Sequence, residues 1–180
     1  MDLLDFAGEE MYFDQPLPAE VEILIADAAE RYGTDASEHS LMRAYFLAPE
    51  HLSVLVALYR FFYYRQRYSE ALTVADRAIA LAGQALGLDC DWRALDPEAL
   101  NRAATESMVL TRFLLLALKG AGFLLMRMER PADALERLEQ AAAIDDSDRL
   151  GLRDMLQWAR RAATRAEVAA QSDNVQYIGR

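Results

Sequence analysis

The chain is 180 residues long, 53% hydrophobic and 27% charged, with a formal net charge of −10. That length suits one domain with a sizeable core, and the acidic balance disfavours non-specific nucleic-acid binding, because a phosphate backbone selects a basic surface. The single cysteine, Cys90, excludes an internal disulfide framework and a cysteine-based metal site, and fits a reducing cytoplasm.

Ala, Leu, Glu and Arg dominate and Val and Ile are sparse, so an all-α fold is expected. Residues 1–17 are read as an N-terminal arm. Its start, MDLLDFAGEE, is acidic and lacks the basic region of a secretory signal. Pro16 and Pro18 break any helix there, and Phe13 and Leu17 are expected to dock on the first helix.

Helix is expected over 18–32, where proline opens the first turn and Val21, Leu24, Ile25 and Ala28 form one apolar stripe. Gly33 ends it, and Thr34 or Asp35 caps a second helix over 36–47, with Leu41, Ala44, Tyr45 and Ala48 in its stripe. Helices near 51–65 and 68–86 follow. The first carries Tyr59, Phe61, Phe62, Tyr63 and Tyr64, apolar and aromatic on nearly every face. The second carries Ala71, Ala75 and Ala78. A large-residue helix joined by a short polar turn to a small-residue helix makes a close-packed αα-hairpin. A helix that is apolar all round is buried or meets another molecule, so core packing and a homodimer interface both fit.

Turn chemistry marks Gly87 to Trp92 and Asp96-Pro97, giving an insertion over 86–114 with one short helix from Pro97. A long helix is expected over 105–128. Gly120 and Gly122 lie inside it, each costing about 1 kcal/mol relative to alanine, which close approach of a neighbouring helix would offset. Its apolar run from Phe113 to Met126 is interrupted by Lys119 and flanked by Arg112 and Arg127, too short and too broken for a membrane span, so a buried helix is expected. The turn Glu129-Arg130-Pro131, a helix over 132–144, the acidic turn from Asp145 to Asp148, a capping helix over 149–169 and a flexible tail over 171–180 complete the chain.

The hairpins share a spacing. Leu55, Leu58, Tyr59 and Phe62 superpose on Val21, Leu24, Ile25 and Ala28 by a shift of 34 residues, and on Leu118, Ala121, Gly122 and Leu125 by a shift of 63. Ser37, Ala71 and Ala134 follow at the same shifts, as do Ala44, Ala78 and Ala141. A 34-residue helix–turn–helix period resembles the tetratricopeptide repeat (TPR) family over residues 18–170. The matching signatures are Tyr68-Ser69-Glu70-Ala71, Pro131-Ala132-Asp133-Ala134 and Ala48-Pro49-Glu50. The repeats would span 18–51, 52–85 and 115–148 in a right-handed superhelical array. The family's first-helix aromatic is missing, and its glycine survives only as Gly122. The run PEHLSVLVALYRFFYYRQRYSEAL, followed later by Asp91-Trp92, is also similar to small TPR proteins encoded beside bacterial nitrogen-fixation genes.

The resemblance implies a concave groove lined by the first helix of each hairpin and by the capping helix. The matching residues are Arg60, Tyr63, Tyr64, Lys119, Phe123, Arg127, Arg153 and Arg160. Arg and Tyr combine area with directed hydrogen bonds, so this groove suits an acidic or aromatic-containing segment of a partner protein. The Lys and Asn set that clamps a Glu-Glu-Val-Asp tail in some TPR domains is absent. The expected role is a non-catalytic protein-binding scaffold, without cofactor, metal, nucleic acid or membrane. No His-x-x-x-His or Glu-x-x-His spacing, glycine-rich phosphate loop or Gly-x-Ser-x-Gly occurs. Asp145 to Asp148 lacks the glycine and terminal glutamate of a calcium loop, and Cys90 sits between Asp89 and Asp91, which disfavour a thiolate. The alternative is a homodimeric helical domain that binds a small ligand, or acts as an enzyme, in an enclosed pocket.

Overall fold

The structure, a computed structural model, describes residues 15–145 and 148–173. The arm before residue 15, Phe13 and the tail beyond residue 173 lie outside the described residues. Leu17 packs against the core, half-buried.

The described residues are all-helical, with no strand among them. Eight α-helices follow in order: α1 (Ala19–Glu30), α2 (Asp35–Leu47), α3 (Leu52–Tyr64), α4 (Tyr68–Ala85), α5 (Pro97–Glu106), α6 (Met108–Arg127), α7 (Pro131–Ile144) and α8 (Arg153–Asp173), with a short 3-10 turn at Trp92–Ala94. Side-chain acceptors start α2, α3, α5 and α6. Thr34 accepts from the Ser37 amide at 3.3 Å to start α2, and Asp96 accepts from Ala99 at 2.8 Å to start α5 behind Pro97. His51 caps α3: Nδ1 accepts from the Ser53 amide at 3.2 Å, which leaves the proton on Nε2 for the Gln15 carbonyl at 3.1 Å. One buried imidazole thus starts a helix and holds the strand of chain that leads into α1.

Two expected boundaries shift. α6 begins at Met108 rather than 105, because Ser107 is extended, ends α5 and accepts from the Leu110 amide at 3.3 Å. α8 begins at Arg153 rather than 149, because Asp148 and Gly151 take positive φ and the Asp148 carboxylate caps Leu152 at 2.7 Å. It also runs on to Asp173, past the point where the tail was expected to begin. The acidic turn is therefore wired into the fold, since Asp145 also accepts from the amides of Arg149 and Leu150.

α1 packs on α2, α3 on α4 and α6 on α7, each pair joined by a short turn, so each is an antiparallel hairpin. The α3–α4 and α6–α7 turns are built alike. Gln66 and Glu129 both take left-handed φ (58° and 57°), and the next amide reaches back to Phe62 and Leu125, each at 2.9 Å. Arg67 then pairs with Glu70, and Arg130 with Asp133, both at 2.7 Å. After each turn a small residue is fully covered: Ala71 and Ala134 are 0% exposed, as is Ser37 in the first hairpin. The apolar stripes at the two shifts are buried too, with Ile25 alone half-exposed.

Gly122 shows why these positions must be small. A Cβ there would sit 2.7 Å from Leu138 of α7, itself fully buried. α6 approaches α7 across that missing methyl. The whole of α6, 20 residues and longer than the run Phe113 to Met126, is long and apolar enough to cross a membrane by length and composition alone. Here it lies in the core, packed against α4, α5 and α7, with Phe113, Leu114, Leu118 and Leu124 buried.

The insertion closes over the second helices of two hairpins. Trp92 is buried, with the Arg137 guanidinium 4.0 Å from its ring and the Arg93 guanidinium at 4.2 Å. Arg137, itself buried on α7, reaches Asp76 of α4 at 2.6 Å, and Gln140 donates to the Leu95 carbonyl at 2.7 Å. The insertion thus straps α4 to α7. α5 continues onto α6, burying Leu100 and Ala103.

Candidate protein-docking groove

α3 divides its aromatic residues between two jobs. Leu55, Leu58, Tyr59, Phe61 and Phe62 are buried, whereas Arg60 is exposed, Tyr63 half-buried and Tyr64 49% exposed. The split follows from helical geometry. Residues three and four apart share a face, so 55, 58, 59 and 62 line the core while 60, 63 and 64 share the opposite side.

The outward rings do not stand alone. Tyr64 meets Tyr32, in the turn after α1, edge-on at 6.2 Å between centroids, and Tyr63 at 5.3 Å. Tyr63 reaches Phe123 of α6 at 6.2 Å, and Phe123 reaches Trp158 of α8 at 6.3 Å. A continuous row of five rings therefore runs from the α1–α2 turn across α3, α6 and α8. Tyr32, Tyr64 and Trp158 are each about half exposed (52%, 49% and 45%). Edge-to-face spacings of this kind add a modest attraction to area burial, so the row is a preformed surface.

Tyr32 and Trp158 were not singled out from the sequence. Tyr32 lies past the end of α1 at Glu30, in the turn that leads to α2. Trp158 lies between Arg153 and Arg160, which fall at expected groove positions. The available signal was a lone tryptophan in an otherwise polar run, Gln157 to Arg161.

The cations sit differently along the row. Arg127 donates to the Tyr68 hydroxyl at 3.0 Å, with its guanidinium 5.3 Å from that ring, and Tyr68 meets Tyr63 at 6.3 Å. Arg127 therefore flanks the row at the C-terminal end of α6. Lys119 is half-buried and donates its ammonium hydrogen to the Leu150 carbonyl, tying α6 to the turn before α8. Arg153 lies 3.7 Å from Asp148, and Arg160 donates to Glu139 of α7 at 3.0 Å. The structure thus brings Arg60, Tyr63, Tyr64, Phe123 and Arg127 together around the rings. Arg153 and Arg160 are engaged with carboxylates on the α7–α8 side.

Between α1 and α3 the row opens into a cleft of about 450 Å³. It is lined by Ile25, Ala28, Ala29 and Ala57, by Ser37 and Leu41 of α2, by the buried Phe61, and by the half-exposed rings of Tyr32 and Tyr64. Among the described residues, Arg60 is the one charged residue lining it.

Chemistry elsewhere is sparse. Among the described residues no three His, Cys, Asp or Glu side chains come together as a metal-binding group. Cys90 is exposed. The titratable shifts that are resolved belong to ion pairs. Hydrogen bonds from Arg67 hold the Glu70 carboxyl below its ordinary range, and those to Glu38 and Glu70 raise Arg67. Glu136 does the same for Arg93.

No family model and no solved structure matches the chain. A protein of Azotobacter chroococcum mcd 1, described as "Uncharacterized 19.8 kDa protein in nifW 5'region", is 42% identical over 156 residues, covering 87% of each chain.

Proposed function

This chain belongs to the family of the 19.8 kDa protein of the nifW 5′ region of Azotobacter chroococcum, and we propose that it is a non-catalytic adaptor of nitrogen-fixation proteins, holding a partner segment in its aromatic groove. The observation that carries this reading is the ring row from Tyr32 to Trp158. The turn after α1 and the helices α3, α6 and α8 each contribute a large ring to one row, with Tyr32, Tyr64 and Trp158 about half exposed. Tyrosine, tryptophan and arginine are the residue types that dominate binding energy at interfaces. The cations at its edges, Arg60 and Arg127, suit an acidic segment in a chain whose own net charge is −10.

We read the scaffold as a TPR-like array of three hairpins capped by α8. In its favour are the matching turns at Gln66 and Glu129, the covered small residues Ser37, Ala71 and Ala134, and buried stripes at shifts of 34 and 63 residues. The nitrogen-fixation setting rests on the relative's location, which the run from Pro49 to Leu72 also suggests. The cytoplasm is the compartment we assign on the same ground.

The test is capture from diazotrophically grown cells, with the bound proteins identified by mass spectrometry. Arg60→Glu combined with Tyr64→Ala is expected to lose the partner that the parent chain retains, while the circular dichroism melt stays unchanged. A double variant that folds and still captures the same partner would remove the groove from the account.

A further inference from the structure

We infer that the outward side of α8, where Arg161 and Arg165 stand beside Trp158, takes the acidic stretch of the docked segment: an extended chain with carboxylates at alternate residues and an apolar side chain next to them. This rests on the groove reading and names the residues and the spacing at one end of it.

The arginines of α8 divide by helical phase. Arg153 lies 3.7 Å from Asp148, and Arg160 lies 3.0 Å from Glu139 of α7. Each residue turns a helix by about 100°, so Arg161 points away from Arg160. Arg161 and Arg165 are exposed, four residues apart, and share a side with Trp158. Among the described residues neither guanidinium meets a carboxylate. Asp154, one turn before Trp158, is the acid at the other end of this side.

The fold gains nothing from this arrangement. Like charges four apart on a helix repel. The helix dipole favours cations only in the last turn, and α8 runs on about two turns past Arg165 to Asp173. The chain has 29 acidic residues against 19 Lys and Arg. Two neighbouring arginines left without a carboxylate in such a chain mark a side that complements an acidic partner.

The spacing selects the occupant. Arg161 and Arg165 are about 6 Å apart along the axis, and Trp158 lies about 4.5 Å before Arg161. Alternate residues of an extended chain point the same way and repeat at about 6.6 Å. A stretch reading apolar-x-acid-x-acid therefore lays its side chains on Trp158, Arg161 and Arg165 in turn. Guanidinium groups take carboxylates through directed, charge-assisted hydrogen bonds. The half-exposed indole offers a flat ring to the apolar side chain. A membrane surface does not fit, because an interfacial helix needs a free apolar face. The apolar face of α8 is already used, with Met155, Ala159 and Ala163 buried.

The experiment uses the full-length chain, ¹⁵N-labelled, and three blocked heptapeptides: acetyl-Ser-Phe-Ser-Glu-Ser-Glu-Ser-amide, a version with lysine for glutamate, and a version with alanine for phenylalanine. The first is expected to shift the amides between Trp158 and Arg165. The lysine version should not, and the alanine version should bind about fivefold more weakly. Arg161→Glu with Arg165→Glu should abolish the shifts from the first peptide and admit the lysine version. Arg161→Gln with Arg165→Gln, which removes charge without reversing it, should weaken the first peptide about tenfold. Arg102→Glu with Arg149→Glu reverses two other exposed arginines, on α5 and in the turn before α8, and should change binding less than about twofold. Equal loss in the two reversed variants would reduce the effect to overall charge and overturn the inference. So would no shift in α8 at millimolar peptide, or tighter binding of the same side to phosphatidylglycerol vesicles. The groove reading fails separately: it falls if the Arg60→Glu, Tyr64→Ala double variant keeps its partner, whatever the peptides do.

Discussion

Replacing Gly122 by alanine tests how α6 is positioned, and with it the placement of Lys119, Phe123 and Arg127. In an exposed helix interior the change would stabilise by about 1 kcal/mol, because alanine is the better helix former. Here the new methyl would lie 2.7 Å from both Cγ and Cδ2 of Leu138, a side chain with 0% exposure. Leu138 cannot swing into solvent, so α6 and α7 must separate or Leu138 must leave its rotamer. Overpacking of that kind costs about 1–3 kcal/mol. The net expectation is a loss of about 0–2 kcal/mol, opposite in sign to the propensity gain or cancelling it. The sharper number is the coupling. Leu138→Ala alone should cost about 2–5 kcal/mol through its cavity. In the Gly122→Ala background, the new methyl fills part of that cavity and the clash disappears, so the same change should cost at least about 1 kcal/mol less. Urea unfolding of the four proteins, followed by circular dichroism with m-values compared, gives the cycle. Additive effects, or a Gly122→Ala protein more stable by the full propensity gain, would refute the close approach.

Asp76→Ala should cost about 1–3 kcal/mol in urea unfolding, because it strands the buried Arg137 guanidinium against Trp92, whereas Arg137→Met should cost less than half as much. An NMR titration should find Glu70 ionising below the ordinary glutamate range, and Arg67→Met should return it there. Since its folded value is the lower one, Glu70 supports the fold above its unfolded pKa, near 4.3, and loses that support as pH falls through the folded value. The pair is partly exposed, so acid melts of parent and Arg67→Met should diverge by under about 1 kcal/mol at neutral pH and converge in acid. Trp158→Ala removes a ring that is 45% exposed, so it should lower the melting temperature little while weakening partner capture.

Much of the helix pattern was legible because most of the helices carry an apolar stripe bounded by polar turns. The exceptions have local causes. The residues around Ser107 read as one helix from 105, since nothing in their hydropathy marks the extended residue that separates α5 from α6. The start of α8 was missed because Asp148, an unusual residue for positive φ, opens the turn, although Gly151 in the same turn was a usable signal. The strap formed by Trp92, Arg137 and Asp76 joins residues 45 and 61 positions from Arg137, and a lone tryptophan in a turn says nothing about which arginine it will cover. On the groove, helical spacing separated Arg60, Tyr63 and Tyr64 from the buried face of α3. It could not find Tyr32, because the place where the end of α1 meets α3 depends on the angle between hairpins, which no single hairpin encodes.

That angle links the small residues to the ring row. Packed helices lie about 8–10 Å apart, closer where the contact residues are small. Ala71, Ala78, Ala121, Gly122, Ala134 and Ala141 are all buried where the helices meet, so the first helices of successive hairpins are drawn within reach of single side chains. One ring from each side then spans the gap, which is what the 6.2 Å and 6.3 Å centroid distances at Phe123 describe. A larger residue at the alanines would spread the helices and break the row without touching a ring. A smaller residue in the row would open a second cleft like the one beside Tyr32 without disturbing the core. The two kinds of substitution therefore separate the fold from the surface it presents: Ala71→Leu should lower stability and capture together, and Phe123→Ala should alter capture at nearly constant stability. Finding the reverse would mean that the rings hold the hairpins together and that the partner binds elsewhere.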